Sequence, residues 1–198
     1  TAAEVAPRVD ALVADVAARA GQPGQATGCY VATKPAEIAA LWDLRKKGVG
    51  LLGAAKGERR PIPFVEDTVV PPEHLATYIR EFRAILDGHG LTYGMFGHVD
   101  VGCLHVRPAL DLKDPADEAR MIAISDAVAA LVKRYGGVIW GEHGKGVRGA
   151  YGELFFGETL YGVCRVVKGA FDPHHQLNPG KIAVPAGRSE PLWGIDSP

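Results

Sequence analysis

Hydrophobic positions along this chain fall into stretches of two periods. Val5, Val9, Leu12 and Val16 recur at helical spacing, and "GQPGQ" ends that run. "GCYVAT" (28–33) is short, β-branched and aromatic, and predicts a strand. A helix is expected over 35–47. Pro35 suits its first turn, Ile38, Leu41, Trp42 and Leu44 are apolar, and Arg45, Lys46 and Lys47 favour its negative end. "KGVGLLGAAKGERRP" reads as a glycine-rich basic loop, and "IPFVEDTVV" (62–70) as a strand. Residues 72–88 predict a helix, with Leu75, Tyr78, Ile79, Phe82, Ile85 and Leu86 on one stripe, Pro72 at its start and Gly88 at its end. "LTYGMFGHVDVGCLHVRP" is a strand region broken by glycines. Residues 115–135 predict a further helix, capped by Asp114 and stopped by Gly136, with Met121, Ile124, Val128, Leu131 and Tyr135 on its apolar face. "GGVIW" is a short strand that runs into a loop, and a last helix covers about 153–170.

This order leaves few parallel crossovers. It predicts an α+β fold, a ferredoxin-like antiparallel sheet with helices packed on one face. One domain is expected over 1–185, with 186–198 as a tail or linker.

Composition narrows the function. The 22 basic and 23 acidic residues nearly cancel, which gives no general polyanion-binding surface. No apolar run is long enough for a membrane helix, and the first residues carry no signal-peptide core. Cys29, Cys103 and Cys164 are odd in number and far apart. They argue for a reducing, cytoplasmic setting and against a disulfide framework or a thiolate zinc site.

The candidate chemistry sits in two glycine-rich stretches. "GHVDVGCLHV" (97–106) places His98 and His105 seven apart. In a regular strand they would face opposite sides, so they meet only if a bulge or tight turn falls between them. "GEHGKG" (141–146) places Glu142 and His143 among glycines beside Lys145. Two imidazoles and a carboxylate suit Zn²⁺, Mn²⁺ or Fe²⁺, with His98, His105 and Glu142 as ligands and His143 left as a base. Taken singly, each histidine reads rather as a hydrogen-bonding surface or core residue, and "GEHGKG" alone as a turn or anion-binding loop. His174 and His175 follow Asp172-Pro173 and are expected at the surface.

"GHVDVGCLHVRP", "GGVIWGEHGKG" and "FDPHHQLNPGKI" together resemble the C-terminal domain of the FAD-linked oxidases. That family includes D-lactate dehydrogenase, the glycolate oxidase D subunit and D-2-hydroxyglutarate dehydrogenase. The wording of the motifs is most similar to a bacterial branch fused to an iron–sulfur region. The resemblance implies that a separate N-terminal domain holds most of the FAD and that any iron–sulfur cluster belongs to the longer parent. It also implies His98, His105 and Glu142 as ligands of a divalent metal, Zn or Mn, with His143 as general base. Asn178 would lie near the flavin and Arg45 would grip the substrate carboxylate. Lys145, beside Glu142 and His143, is a candidate further substrate contact. Arg107 stands where relatives carry an asparagine that touches substrate, and it would suit the second carboxylate of a dicarboxylic acid. The implied partners are a small 2-hydroxy acid and the FAD-binding domain of the same polypeptide. Two other readings stand beside this one: a metal-dependent hydrolase using the same ligands, and a non-catalytic ferredoxin-like assembly module.

Overall fold

The computed structural model describes residues 2–53, 57–195 and 197. The chain divides into two compact units, Thr1–Leu51 and Leu52–Pro198.

The first unit is helical: α1 (Ala2–Arg19) and α2 (Pro35–Gly53). "GCYVAT" forms no strand, and Tyr30 and Val31 are exposed. A strand needs a ladder partner, and none pairs with it among the described residues. The second helix also runs past its expected end at 47 to Gly53. A glycine inside a helix costs only about 1 kcal/mol, and the leucines after Gly48 and Gly50 are good helix formers. Apolar side chains of the two helices, among them Val9, Leu12, Val16, Ile38 and Trp42, line an open groove of about 570 Å³.

The second unit contains the core. Its elements are β1 (Arg60–Pro61), β2 (Thr68–Val69), α3 (Leu75–Gly88), β3 (Tyr93–His98), β4 (Cys103–Leu110), α4 (Pro115–Arg134) and α5 (Gly152–Phe171). The pairings between these strands are antiparallel and each involves β4, which bonds β1 at 109–110, β2 at 103–104 and β3 along 103–108. The α+β class with an antiparallel sheet is therefore what the chain adopts. The centre is packed mainly from three elements. Tyr78, Phe82 and Leu86 come from α3, Ile124, Val128 and Val132 from α4, and Leu104, Val106 and Leu110 from β4. The stripes predicted for residues 72–88 and 115–135 are the faces that do this. Asp114 caps α4 as expected, its side chain accepting from Ala116 N–H at 2.9 Å.

The predicted strand 62–70 shrinks to Thr68–Val69, because Asp67 takes a left-handed backbone (φ 73°) that interrupts it. "GGVIW" contributes a single bridge, Val138 to Val69. The tail is tied down. Trp193 N–H donates to the Gly180 carbonyl at 2.7 Å, and Ile195 packs against the core. His175 is buried rather than at the surface, since its Nε2 accepts Gly180 N–H at 3.2 Å. No helix among the described residues is long and apolar enough to cross a membrane.

Candidate metal and substrate site

The two histidines meet because β3 turns back on itself. His98 ends β3, a one-turn 3-10 segment covers Val99–Val101, and Gly102 (φ 70°) closes the reversal into β4. His98 is the cross-strand partner of Cys103, and His105 lies two residues beyond. Cross-strand partners share a face, as do residues two apart, so both imidazoles emerge on one side. Their ring centroids are 5.5 Å apart and perpendicular. A β-carbon on Gly102 would lie 1.9 Å from the Val70 carbonyl oxygen, so the turn requires glycine.

"GEHGKG" arrives from the other side. The carboxylate of Asp67 receives it, accepting Glu142 N–H at 2.9 and 3.0 Å and His143 N–H at 2.9 Å. The Asp67 carbonyl accepts Gly141 N–H at 3.0 Å. Gly141 permits this approach, since a β-carbon there would meet Val69 Cγ2 at 2.6 Å and Asp67 Oδ1 at 3.0 Å. Arg148 laces the loop down from within, donating to the carbonyls of Glu66, Ile139 and Gly144. Burial lowers the Arg148 pKa against the pull of Asp67 and Glu66.

The result is a convergence of three imidazoles on one oxygen. Glu142 Oε1 lies 2.8 Å from His105 Nε2, 3.2 Å from His98 Nε2 and 3.5 Å from His143 Nε2. His105 and His143 stack, with centroids 4.8 Å apart. His105 is buried, and desolvation lowers its pKa, favouring the neutral ring that can donate a lone pair. The donor set of imidazole nitrogens and carboxylate oxygens fits a divalent ion of the zinc or manganese kind. Ligand-capable atoms of Asp67, His105, Glu142 and His143 lie within 4.8 Å of one another. His98 enters through its contact with Glu142.

Two acids in this cluster escape a motif search. Glu66 is 3% exposed and Asp67 fully buried. Glu66 binds the Arg107 guanidinium through both oxygens, to Nε at 2.7 Å and Nη2 at 3.1 Å. That hydrogen bond raises the Arg107 pKa. Glu66 Oε1 also faces Nδ1 of His143 at 3.3 Å and Nδ1 of His105 at 3.7 Å. The signal available in sequence was the pair of acids in an otherwise apolar β-branched run, since buried carboxylates persist only when paired. Cys103 packs beside them, and burial next to Asp67 pushes its thiol up to about 11, so it stays protonated.

The other predicted contact residues each have their own local neighbours. Lys145 Nζ lies over the rings of Trp140 and Phe156, 4.7 and 4.3 Å from their centroids. Asn178 takes a left-handed backbone (φ 48°) and lines a groove of about 370 Å³ beside α5, with Val163, Leu177 and Ile182. Arg45 belongs to α2 in the first unit, where its guanidinium lies 5.8 Å from the Trp42 ring centroid.

The model of the FAD linked oxidases, C-terminal domain, matches residues 2–182. This chain belongs to that family. It is similar to D-2-hydroxyglutarate dehydrogenase of Escherichia coli (strain K12), 59% identical over 86% of the chain and 17% of that protein. It is also similar to D-2-hydroxyglutarate dehydrogenase of Pseudomonas putida, 63% identical over 80% of the chain and 16% of that protein. More distantly it resembles D-lactate dehydrogenase of Archaeoglobus fulgidus, 31% identical over 85% of the chain and 36% of that protein. The chain thus spans about a sixth of the length of the first two relatives.

Proposed function

We propose that this chain is the substrate- and metal-binding domain of a flavin-dependent D-2-hydroxy acid dehydrogenase, acting on D-2-hydroxyglutarate or a close analogue. The observation that carries the reading is the meeting of three Nε2 atoms around Glu142 Oε1. The names of the 59–63% identical relatives support the substrate class.

Oxidising a 2-hydroxy acid removes a hydroxyl proton and a hydride from the same carbon. FAD, when bound, accepts the hydride. A divalent ion held by His98, His105 and Glu142 would supply Lewis acidity at the hydroxyl. His143 is the base. Its ring lies beside the ligand cluster, and it takes the hydroxyl proton at Nε2. Glu66 occupies Nε and Nη2 of Arg107, leaving Nη1 for the distal carboxylate of a dicarboxylic acid. Arg45 takes the carboxylate next to the reacting carbon. Orientation by such clamps supplies several kcal/mol of barrier reduction. Asn178 contacts the flavin, and Lys145 lends positive charge at the rim. The three cysteines are all free, which suits a cytoplasmic enzyme. Iron–sulfur chemistry belongs to other parts of the longer protein, since three scattered cysteines do not make a cluster site.

Elemental analysis of the chain purified without chelator tests the metal. Near-stoichiometric zinc or manganese is expected in the parent and none in a His98→Ala/Glu142→Ala variant. Equal metal content in both would remove the ligand assignment. In the longer enzyme, either single substitution should abolish D-2-hydroxyglutarate oxidation while FAD stays bound.

A further inference from the structure

The backbone break at Asp67 has a consequence for the site. In a regular strand consecutive side chains point to opposite faces. Glu66 and Asp67 are consecutive, yet both carboxylates reach the same cluster: Asp67 the amides of Glu142 and His143, Glu66 the Nδ1 edges of His105 and His143. The left-handed φ of 73° at Asp67 is where the alternation is lost. Aspartate tolerates that region better than most residues, but glycine and asparagine tolerate it as well or better. A fully buried, charged residue in a strained conformation is costly unless something local depends on it.

What depends on it is the aim of the ligands. Asp67 fixes the backbone from which the Glu142 and His143 side chains project. Glu66 faces the Nδ1 side of two stacked rings whose Nε2 atoms both face Glu142 Oε1. His105 Nδ1 is buried and has no hydrogen-bond partner, and Glu66 Oε1 is the acceptor it faces at 3.7 Å. An imidazole that donates a lone pair from Nε2 carries its proton on Nδ1, and a negative carboxylate facing that edge favours this form. Arg107 balances the charge of Glu66.

We propose that Glu66 and Asp67 act together as the positioning element of this site. Asp67 sets the Glu142–His143 backbone, and the Glu66 carboxylate, facing the Nδ1 edges of His105 and His143, favours the orientation in which their Nε2 atoms face Glu142. In this role the oxygens of Asp67 are used on the two backbone amides and those of Glu66 on Arg107, so both act through their neighbours. The inference rests on the metal reading above for its zinc readout, and on the loop geometry alone for its amide readout.

The test uses the full 198-residue chain, labelled with ¹⁵N, and four variants. Asp67→Gly keeps the left-handed backbone and removes the acceptor. Asp67→Asn keeps the backbone and one acceptor oxygen. Glu66→Gln keeps shape and loses charge. Asp117→Asn alters a buried acid outside the cluster and serves as control. Zn²⁺ affinity is read by calorimetry, and the amide protons of Glu142 and His143 by NMR.

Asp67→Gly should move both amide resonances upfield and weaken Zn²⁺ binding 10–100-fold, with Asp67→Asn between it and the parent. Glu66→Gln should weaken Zn²⁺ binding by a similar factor while leaving the amides in place. Asp117→Asn should lower the melting temperature but leave Zn²⁺ affinity within twofold. Zn²⁺ affinity within twofold of the parent in both Asp67→Gly and Glu66→Gln would overturn the proposal. If the parent takes up no Zn²⁺, the metal reading falls. The amide shifts then still decide: unmoved in Asp67→Gly, they overturn the positioning role; moved, they uphold it.

Discussion

Glu66 and Arg107 form the charge pair on which this site is built, and the pair has a measurable energetic signature. Glu66 is almost fully buried, and the guanidinium holds both of its oxygens. Removing one partner from a buried pair leaves a charge without compensation, at a cost of about 3 kcal/mol or more. Removing both in favour of apolar side chains is often neutral. Arg107→Met should therefore lower the urea-unfolding free energy by about 3 kcal/mol, and Glu66→Leu/Arg107→Met should recover most of it. Equal losses in the single and double variants would show that Arg107 stabilises by packing on Phe96, whose ring centroid is 5.9 Å away, and not by charge. The same residues mark the limit of what sequence conveys. His98, His105, Glu142 and His143 were legible because imidazoles and glycines in a strand context are unusual and their spacing invites a turn. Glu66 and Asp67 were not. Strand alternation puts one of them outward, and nothing in "FVEDTVV" announces that Asp67 leaves the β region. Arg107 was singled out in sequence for its charge, but its partner across the sheet, Glu66, was not, because pairing at a separation of 41 residues is set by register.

At the scale of elements, the β3–β4 reversal and the α5 C-terminus each make a prediction. The reversal depends on Gly102, whose left-handed backbone and contact with the Val70 carbonyl leave no room for a side chain. Gly102→Ala should destabilise the chain by about 2–4 kcal/mol. It should also separate His98 from His105, so that Zn²⁺ affinity falls even in the fraction that stays folded. Unfolding and calorimetry on one sample read both, and parent-like affinity would mean that the turn does not aim His98. At the end of α5, Lys168 donates to the Asp172 carboxylate at 2.7 Å, and the amides of Gln176 and Leu177 add two more bonds. The Lys168 bond and these amides hold the Asp172 carboxyl well below the usual carboxylate range. A carboxyl with a depressed folded pKa adds stability above its unfolded value, near pH 4, and loses it as pH falls through the folded one. Asp172→Asn should therefore melt lower than the parent at pH 7, and the two curves should converge towards pH 2. A constant gap in melting temperature across that range would assign the effect to packing. Helices were the most legible elements, since the stripes of α3 and α4 repeat over three or more turns. Strands were the least. "GCYVAT" and most of "IPFVEDTVV" have strand composition, but a strand exists only where a partner bonds it, and β4 supplies partners to few of their residues.

At the scale of the molecule, the core and the candidate metal site fall in one unit. Every residue of the hydrophobic core cluster, from Phe64 to Ile139, belongs to the second unit, as do Glu66, Asp67, His98, His105, Glu142 and His143. The first unit buries little among its described residues: Leu12 is 63% exposed, Trp42 56% and Leu44 64%. Two helices of 18 and 19 residues with their apolar faces in water are at the lower edge of independent stability, because isolated helices draw most of their stability from packing. A chain beginning at residue 57 should accordingly retain cooperative thermal unfolding and the Zn²⁺ affinity of the parent. A peptide of residues 2–51 should show weak, concentration-dependent helicity by circular dichroism. Arg45, the proposed grip on the substrate carboxylate, lies in that first unit, so substrate and metal binding should come apart in the shortened chain. Zn²⁺ would still bind, and D-2-hydroxyglutarate would no longer perturb the amides of the Glu142–His143 loop. If the shortened chain loses Zn²⁺ as well, the first unit is needed to form the site, and the assignment of the ligands to one self-contained fold is wrong. If it keeps the response to D-2-hydroxyglutarate, Arg45 is dispensable for binding, and Arg107 with the histidine cluster accounts for recognition.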